Sequence, residues 1–370
     1  MVTASSKLNV DPMRVGLVGM GFGARVLLPA LLDLPNVKVV ALADAGSGRA
    51  AAAAAPMGAA AYDDGVALIR AAVIDAVVIA APPAAQARLV EAALQREMPV
   101  YCEKPLGLTL ADTERLTAKA TENHMVTAVG FSMRYDRGVG ALIDVVRRDE
   151  IGPVRRIAVT WTTAGGADPR RTWSWRDDPD CSGGILEEFC THVFDYCSCI
   201  AAAAAERIYC RTFSRISVRP DGSGRMRTAP AANETDIVMS YVNGVTATML
   251  VSNTAPGGIG HRIEVYGERG CACFLHRPPF AHNEGRVTVQ TVAGSTRELS
   301  LPAGDADTPT DSRIPTVQAN LRDFFSVLAG GMSARLAGFP EALAARRVAA
   351  AAATSDQIGV PVAVEHGSTG

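Results

Sequence analysis

The run RVGLVGMGFGA, residues 14–24, limits the possible folds more than any other stretch of the chain. Its apolar first half reads as a strand. It stops at Gly19 and passes through Met20, Gly21, Phe22, Gly23 and Ala24 into a segment with helical spacing. Gly19, Gly21 and Ala24 fit the pattern G-x-G-x-x-A. The first allows a tight turn, the second lets the backbone approach a pyrophosphate, and the third permits close helix–strand packing. The free N–H groups at the helix start suit the same phosphates. A lone match of this kind is weak, because glycine-rich turns are common. Here it follows a strand, opens a helix and begins an alternating pattern.

That pattern continues for about 130 residues. Strands are expected at 14–19, 37–44, 76–81, 99–103 and 126–131, with helical stretches such as 84–96 and 109–123 between them. Continuous apolar strands separated by helices predict a parallel sheet covered on both faces. Asp44 closes the second strand, 25 residues beyond Gly19. A carboxylate there accepts hydrogen bonds from ribose hydroxyls and repels a 2′-phosphate, which favours NAD over NADP. Arg49 lies close enough to soften that preference. Asp44 has a second reading, as a residue that caps its own loop.

After residue 131 the periodicity changes. Residues 154–164 and 235–252 alternate like antiparallel strands, with Asn243-Gly244 as a hairpin turn. Further strands are expected at 261–274 and 286–301. Loops are expected at 219–233 and 302–316, helices at about 317–329 and 340–357, and a last short strand at PVAV. The expected organisation is a flexible tail at 1–13, a dinucleotide-binding Rossmann domain at 14–131, and an α+β domain with a mostly antiparallel sheet at 132–370.

The totals exclude several classes. A formal charge of −2 over 370 residues gives no electrostatic case for nucleic acid or anionic membrane as the main partner. No apolar run approaches the ~20 residues of a membrane span, and the N-terminal stretch reads as the tail of a cytoplasmic protein. The eight cysteines include no CxxC pair and read as reduced thiols. The basic residues number 36, of which only Lys7, Lys38, Lys104 and Lys119 are lysine. In a chain that otherwise prefers arginine, each lysine draws notice.

Lys104 stands in Glu103-Lys104-Pro105, at the carboxyl end of an expected parallel strand, where open α/β sheets bind ligands. Farther on, GGILEEFCTH places Glu187 and Glu188 just before His192. At helical spacing Glu188 and His192 share a face, and Asp195 extends the stripe. Glu187 lies about 140° away at ~100° per residue. Three readings of this stripe remain: an acid–base site, a metal-binding face, and a satisfied core histidine.

The ordered set of the GxGxxA turn, VVIAAPP, CEKP, VGFSMRY and GG-x-L-x6-H-x2-D resembles the Gfo/Idh/MocA oxidoreductases, from Arg14 to about Val364. The resemblance implies a Rossmann domain, then a domain on a large open sheet. It also implies NAD(P)-linked oxidation or reduction of sugars and cyclitols without metal, in homodimers or homotetramers. Lys104 matches the family's catalytic lysine and His192 its catalytic histidine. Glu188 stands where the family usually has aspartate, and Cys190 where it often has glycine. Ala81, Pro82 and Pro83 match a loop beside the cofactor, Gln86 a position often held by histidine, and Trp175-Arg176 a pair near the nicotinamide. Arg134-Tyr135 resembles a pair contacting substrate or cofactor.

Together these give a working assignment. His192 is the base, Lys104 the electrostatic partner and Glu188 the carboxylate that orients the imidazole, with the first two roles exchangeable. Cofactor contacts are expected from Gly19, Gly21, Phe22, Gly23, Ala24, Asp44, Ala81, Pro82, Pro83, Gln86, Glu103, Lys104, Trp175 and Arg176. Substrate contacts are expected from Lys104, Arg134, Tyr135, Trp161, Trp173, Glu188 and His192. The segment ADPRRTWSWRDDPD has the composition of a sugar site, and Asp168, Asp177, Asp178 and Asp180 would suit an amine. The expected substrate is a sugar, aminosugar or cyclitol of the kind used in aminoglycoside biosynthesis. A non-catalytic dinucleotide-binding regulator and an NAD-dependent glycosidase are the competing classes.

Overall fold

The computed structural model describes residues 11–278, 280, 285–301 and 311–367. Most of the expected tail, and residues 302–310 of the expected loop, lie outside them.

The first sheet contains β1 (Met13–Val18), β2 (Val37–Ala43), β3 (Ala60–Tyr62), β4 (Ala76–Ile79), β5 (Val100–Cys102) and β6 (Thr127–Val129). Their order is β3-β2-β1-β4-β5-β6, and every pairing is parallel. Buried Val15, Leu17, Val78 and Tyr101 pack on one face with Val317, Leu321 and Phe324 of the helix Ile314–Leu328. Buried Val77, Ile79 and Val100 pack on the other with Leu89 and Leu116 of helices Pro83–Leu94 and Leu110–Glu122. Burial on both sides is why these strands read as unbroken apolar runs. β3 went unread because its Ala-Ala-Tyr carries little strand propensity. Strand order reverses at β1, so a crevice opens outside the carboxyl ends of β1 and β4.

The second part of the chain supplies β7 (Val154–Thr162), β8 (Ala205–Phe213), β9 (Val218–Pro220), β10 (Met226–Thr228), β11 (Glu234–Tyr241) and β12 (Thr246–Ser252). It continues with β13 (Gly260–Gly267), β14 (Gly270–His276), β15 (Arg286–Thr291), β16 (Thr296–Leu299) and β17 (Val362–Ala363). Nine of them form a sheet in the order β16-β15-β14-β13-β7-β12-β11-β8-β17. Only β7 and β12 pair in parallel. The further strands expected at 261–274 and 286–301 are arranged as hairpins, and the expected loop 219–233 contains β10, which pairs with β9.

The inner face of this sheet is covered by helices Thr191–Ala201 and Phe339–Ile358. The outer face shows apolar surface: Val238, Leu250 and Tyr266 are 54%, 42% and 40% exposed. The architecture is an α/β Rossmann domain followed by an α+β domain with a large, mostly antiparallel open sheet. Among the described residues no helix is long and apolar enough to cross a membrane.

Candidate active site

A continuous cleft of ≈ 2510 Å³ runs from the glycine turn to the inner face of the large sheet. At its first end, Gly19 has φ +104°, and a Cβ there would lie 2.5 Å from the carbonyl oxygen of Ala80. No L side chain fits that approach of β1 to β4. A Cβ on Gly21 would meet nothing within 4 Å, so the bare backbone there borders open cleft. Gly23 is under no such constraint, because a Cβ would make ordinary contact with Ala80. Phe22 lines the cleft with the Arg313 guanidinium 5.1 Å from its ring centre. Ala24 packs against the core behind the turn. Open space over bare backbone at a helix start is what a pyrophosphate needs, so these residues fit a dinucleotide.

Asp44 is buried at the end of β2 and borders the cleft. Its carboxylate accepts N–H bonds from Gly46 (3.0 Å) and Ser47 (3.2 Å), and a bond from the Ser47 hydroxyl. The hydroxyl bond does most to hold its pKa below the usual carboxylate range. Arg49 stands 3.8 Å away and is largely exposed. Asp44 therefore caps its loop at the edge of the cleft.

Deeper in, β5 delivers Glu103 and Lys104. Gln86 fixes this turn. Its amide nitrogen donates to the carbonyls of Ala81 (3.1 Å) and Glu103 (3.0 Å), and its oxygen accepts the N–H of Gly107 (2.8 Å). The side chain is 1% exposed, so one amide ties the Ala81-Pro82-Pro83 loop to the Lys104 segment. The Glu103 carboxyl packs against Gly130, where a Cβ would come within 2.6 Å of it. Burial raises its pKa to about 7 against the pull of Lys104 and Arg313.

The Lys104 ammonium donates to the backbone carbonyl of Glu188. Burial lowers its pKa, opposed chiefly by Glu188. Glu188 lies in a π-helical turn, Leu186–Cys190, a local widening often found at functional sites. Gly183 and Gly184 start this turn. A Cβ on Gly183 would strike the Arg176 carbonyl at 2.5 Å, so glycine lets the turn pack on the Trp175-Arg176 loop. His192 follows, with Phe131 edge-on at 5.9 Å. Its Nδ1 is buried with no hydrogen-bond partner among the described residues. Burial, then Lys104 and His261, push its pKa well below 6.5, so the ring is neutral near pH 7.

Several expectations need correction. The Glu188 side chain does not orient His192; its carboxylate meets Arg176 Nε at 3.3 Å. A guanidinium offers charge as well as hydrogen bonds, and a neutral imidazole cannot match it. Glu187 turns away, as its spacing predicts, and pairs with the buried Arg346. Arg134 is not at the substrate end: it is 6% exposed and makes a bidentate pair with Asp195 at 2.6 and 2.7 Å. Asp195 and Glu188 are thus both engaged by arginines, which removes the metal-face reading of this helix. Trp173 lies off the cleft. Its indole N–H donates to Thr228 O at 2.9 Å and Arg227 covers its ring, so it anchors the loop to the β9–β10 ribbon. Asp177 holds Arg171 of its own loop and Arg219 of β9. None of Asp168, Asp177, Asp178 or Asp180 borders the cleft.

Trp161, Tyr135, Trp175 and Arg176 do line the cleft. The Tyr135 hydroxyl donates to Asp323 at 2.6 Å. Sequence reasoning missed Phe189, His261, Phe274 and His276, which also line it. The two-residue alternation of β14 puts Phe274 and His276 on one face, whereas the pairing of β13 with β7 that sets His261 opposite Trp161, and the position of Phe189 in the turn Leu186–Cys190, left no local signal.

A Rossmann sheet whose switch-point cleft ends at a lysine and a neutral histidine defines a class, the dinucleotide-linked oxidoreductases. The chain belongs to the Gfo/Idh/MocA family: the profile of its oxidoreductase NAD-binding Rossmann fold matches residues 13–131, and that of its C-terminal domain matches residues 120–273. The myo-inositol 2-dehydrogenase of Thermotoga maritima is 26% identical over 259 residues, 70% of this chain and 74% of that protein. The dTDP-3,4-didehydro-2,6-dideoxy-alpha-D-glucose 3-reductase of Streptomyces violaceoruber is 34% identical over 179 residues, 48% of this chain and 51% of that one. A solved levoglucosan dehydrogenase in complex with NADH and levoglucosan shares the fold. It has a TM-score of 0.85 at 21% identity and covers 96% of this chain and 100% of its own.

Proposed function

We propose that the protein oxidises a secondary hydroxyl of a sugar, aminosugar or cyclitol to a ketone, with NAD as acceptor. The observation that carries this reading is the convergence of Lys104 and His192 at the inner end of the cleft that begins at Gly19. A bound nicotinamide would supply the acceptor for the hydride of the carbinol carbon. The residues of the chain handle the proton and the charge. His192, neutral because it is buried, accepts the hydroxyl proton. Lys104, held on the Glu188 carbonyl, places its positive charge beside the developing alkoxide. Ketone reduction uses the same groups with the proton returning from His192.

Asp44 at the end of β2 supports NAD over NADP, because its charge would repel a 2′-phosphate. The exposed apolar face of the nine-stranded sheet supports a homodimer or homotetramer. Retention of both Lys104 and His192 argues against a purely regulatory dinucleotide-binding protein.

The test is an absorbance screen for NADH formation over inositols, aminocyclitols, free sugars, glycosides and nucleotide sugars. The expected result is NADH release with at least one polyol, faster with NAD than with NADP. No net NADH from any compound, with NADH still binding, would contradict the reading.

A further inference from the structure

Arg346 stands in the middle of the helix Phe339–Ile358 and is only 6% exposed. An arginine is rarely buried so fully unless its donors are matched. Here the matches come from three separate segments of the chain. Nη1 donates to the Glu187 carboxylate in the turn Leu186–Cys190. Nη2 donates to the Leu108 carbonyl, four residues beyond Lys104, and to the Ser182 hydroxyl at 3.1 Å. Ser182 in turn donates to the same Leu108 carbonyl at 2.7 Å. It has φ +58°, in the left-handed region, directly before the Gly183-Gly184 pair. Neither Arg346 nor any of its three partners borders the cleft.

What these bonds join is the site itself. The segment of Leu108 carries Lys104. The turn of Glu187 carries Glu188, whose backbone carbonyl holds the Lys104 ammonium, and runs on to His192. Gln86 ties the Lys104 segment to the loop beside it in the Rossmann domain. Arg346 ties the same segment across to the other domain. The bond from Lys104 to Glu188 is one contact at the end of a flexible four-carbon stem, so its geometry depends on how the two backbones are spaced. Glu187 is close to that ammonium: burial pushes its pKa up, and Arg346 and then Lys104 pull it back. A buried ion pair adds little stability over apolar residues of the same size, because desolvation offsets the attraction. It does fix geometry, since the planar guanidinium aims each of its bonds.

We infer that Arg346 is a positioning residue: through Leu108, Ser182 and Glu187 it sets the spacing between Lys104 and the turn that carries Glu188 and His192. The consequence for turnover rests on the proposed dehydrogenase reading, whereas the placement of the Lys104 ammonium does not.

The experiment uses the full chain with NADH bound and two variants. Glu187→Leu/Arg346→Met replaces the pair by apolar side chains, and Arg346→Lys keeps the charge but loses the fork. Both are expected to fold with a Tm close to that of the wild-type protein. A remote change that misplaces reacting groups by ~1 Å can lower a rate ~100-fold. The expected result is a kcat at least about tenfold lower in both variants, with KM for the polyol and NADH affinity within about threefold. A smaller fall in kcat in a folded variant overturns the inference. So does a loss of NADH affinity as large as the loss of kcat, which marks general loosening. Failure of both variants to fold shows that Arg346 serves the fold alone, and also overturns it. A second readout needs no turnover. The chain has only four lysines, so ¹⁵N-lysine labelling gives a simple spectrum in which the Lys104 ammonium is identified by its loss in Lys104→Arg. Held on a carbonyl, it is expected to give a ¹H–¹⁵N signal in mildly acidic buffer that both variants lose. An unchanged signal in the variants, or none in the wild-type protein, overturns the inference. A signal lost in the variants while the wild-type protein oxidises no polyol would fault the dehydrogenase reading and leave the role of Arg346 standing.

Discussion

Lys104 and His192 are both driven toward their neutral forms, because desolvation penalises the charged form of each. The oxidation described above needs His192 neutral and Lys104 protonated. Protonation of His192 therefore sets the acid limb of kcat/KM, and it falls well below pH 6.5. Loss of the Lys104 proton sets the alkaline limb, which falls below 10.5. A pH–rate profile of NADH formation checks both limbs, and an acid limb at or above 6.5 would refute the assignment of His192. The Arg134–Asp195 pair is a different kind of residue-level feature. Burial pushes Asp195 up to about 6 even beside the guanidinium, and the two side chains satisfy each other off the cleft. Asp195→Asn should leave Arg134 buried and unpaired and cost ~3–5 kcal/mol of stability, read from urea unfolding. Helical spacing was enough to separate Glu188 from Glu187 in the sequence. It was not enough to name the partner of Glu188, because Arg176 comes from a loop whose path no local pattern reports.

At the scale of elements, the site is assembled by joints between loops. Gln86 is the clearest joint. It sits in the first half of the helix Pro83–Leu94 and bonds three backbone groups from the Ala81–Pro83 loop and the Lys104 segment. Gln86→Leu would leave those groups unsatisfied in a buried place, at ~1–3 kcal/mol each. The expected outcome is a lower Tm and a fall in kcat of at least tenfold, as Lys104 loses its fixed position. Equal Tm and kcat in the variant would show that the clamp is not needed. The glycine turn and the EKP strand end were legible because their residue types are dictated locally, by a close approach of backbone and by a strand end. β3, the two hairpins at β13–β14 and β15–β16, and the β9–β10 ribbon were not. Their identity depends on pairing partners that lie far away in the chain or on turns that local residue patterns mark only weakly.

The whole molecule places a dinucleotide cleft at the switch point of one sheet and closes its far end with the inner face of another. The first sheet was readable because its strands are buried on both sides. The order of the second was not, since antiparallel pairing between β7 and β13, or parallel pairing between β7 and β12, joins segments about a hundred residues apart. Turnover in this account requires both sheets, because Lys104 follows β5 while His192 lies on a helix packed against the second sheet. The most direct test is Lys104→Ala, assayed on a polyol that the wild-type protein oxidises, with NADH binding followed by fluorescence. The account predicts turnover reduced by at least a thousandfold, about 4 kcal/mol of transition-state stabilisation, while NADH binds within a few-fold of wild type. Near-normal turnover in that variant would contradict it.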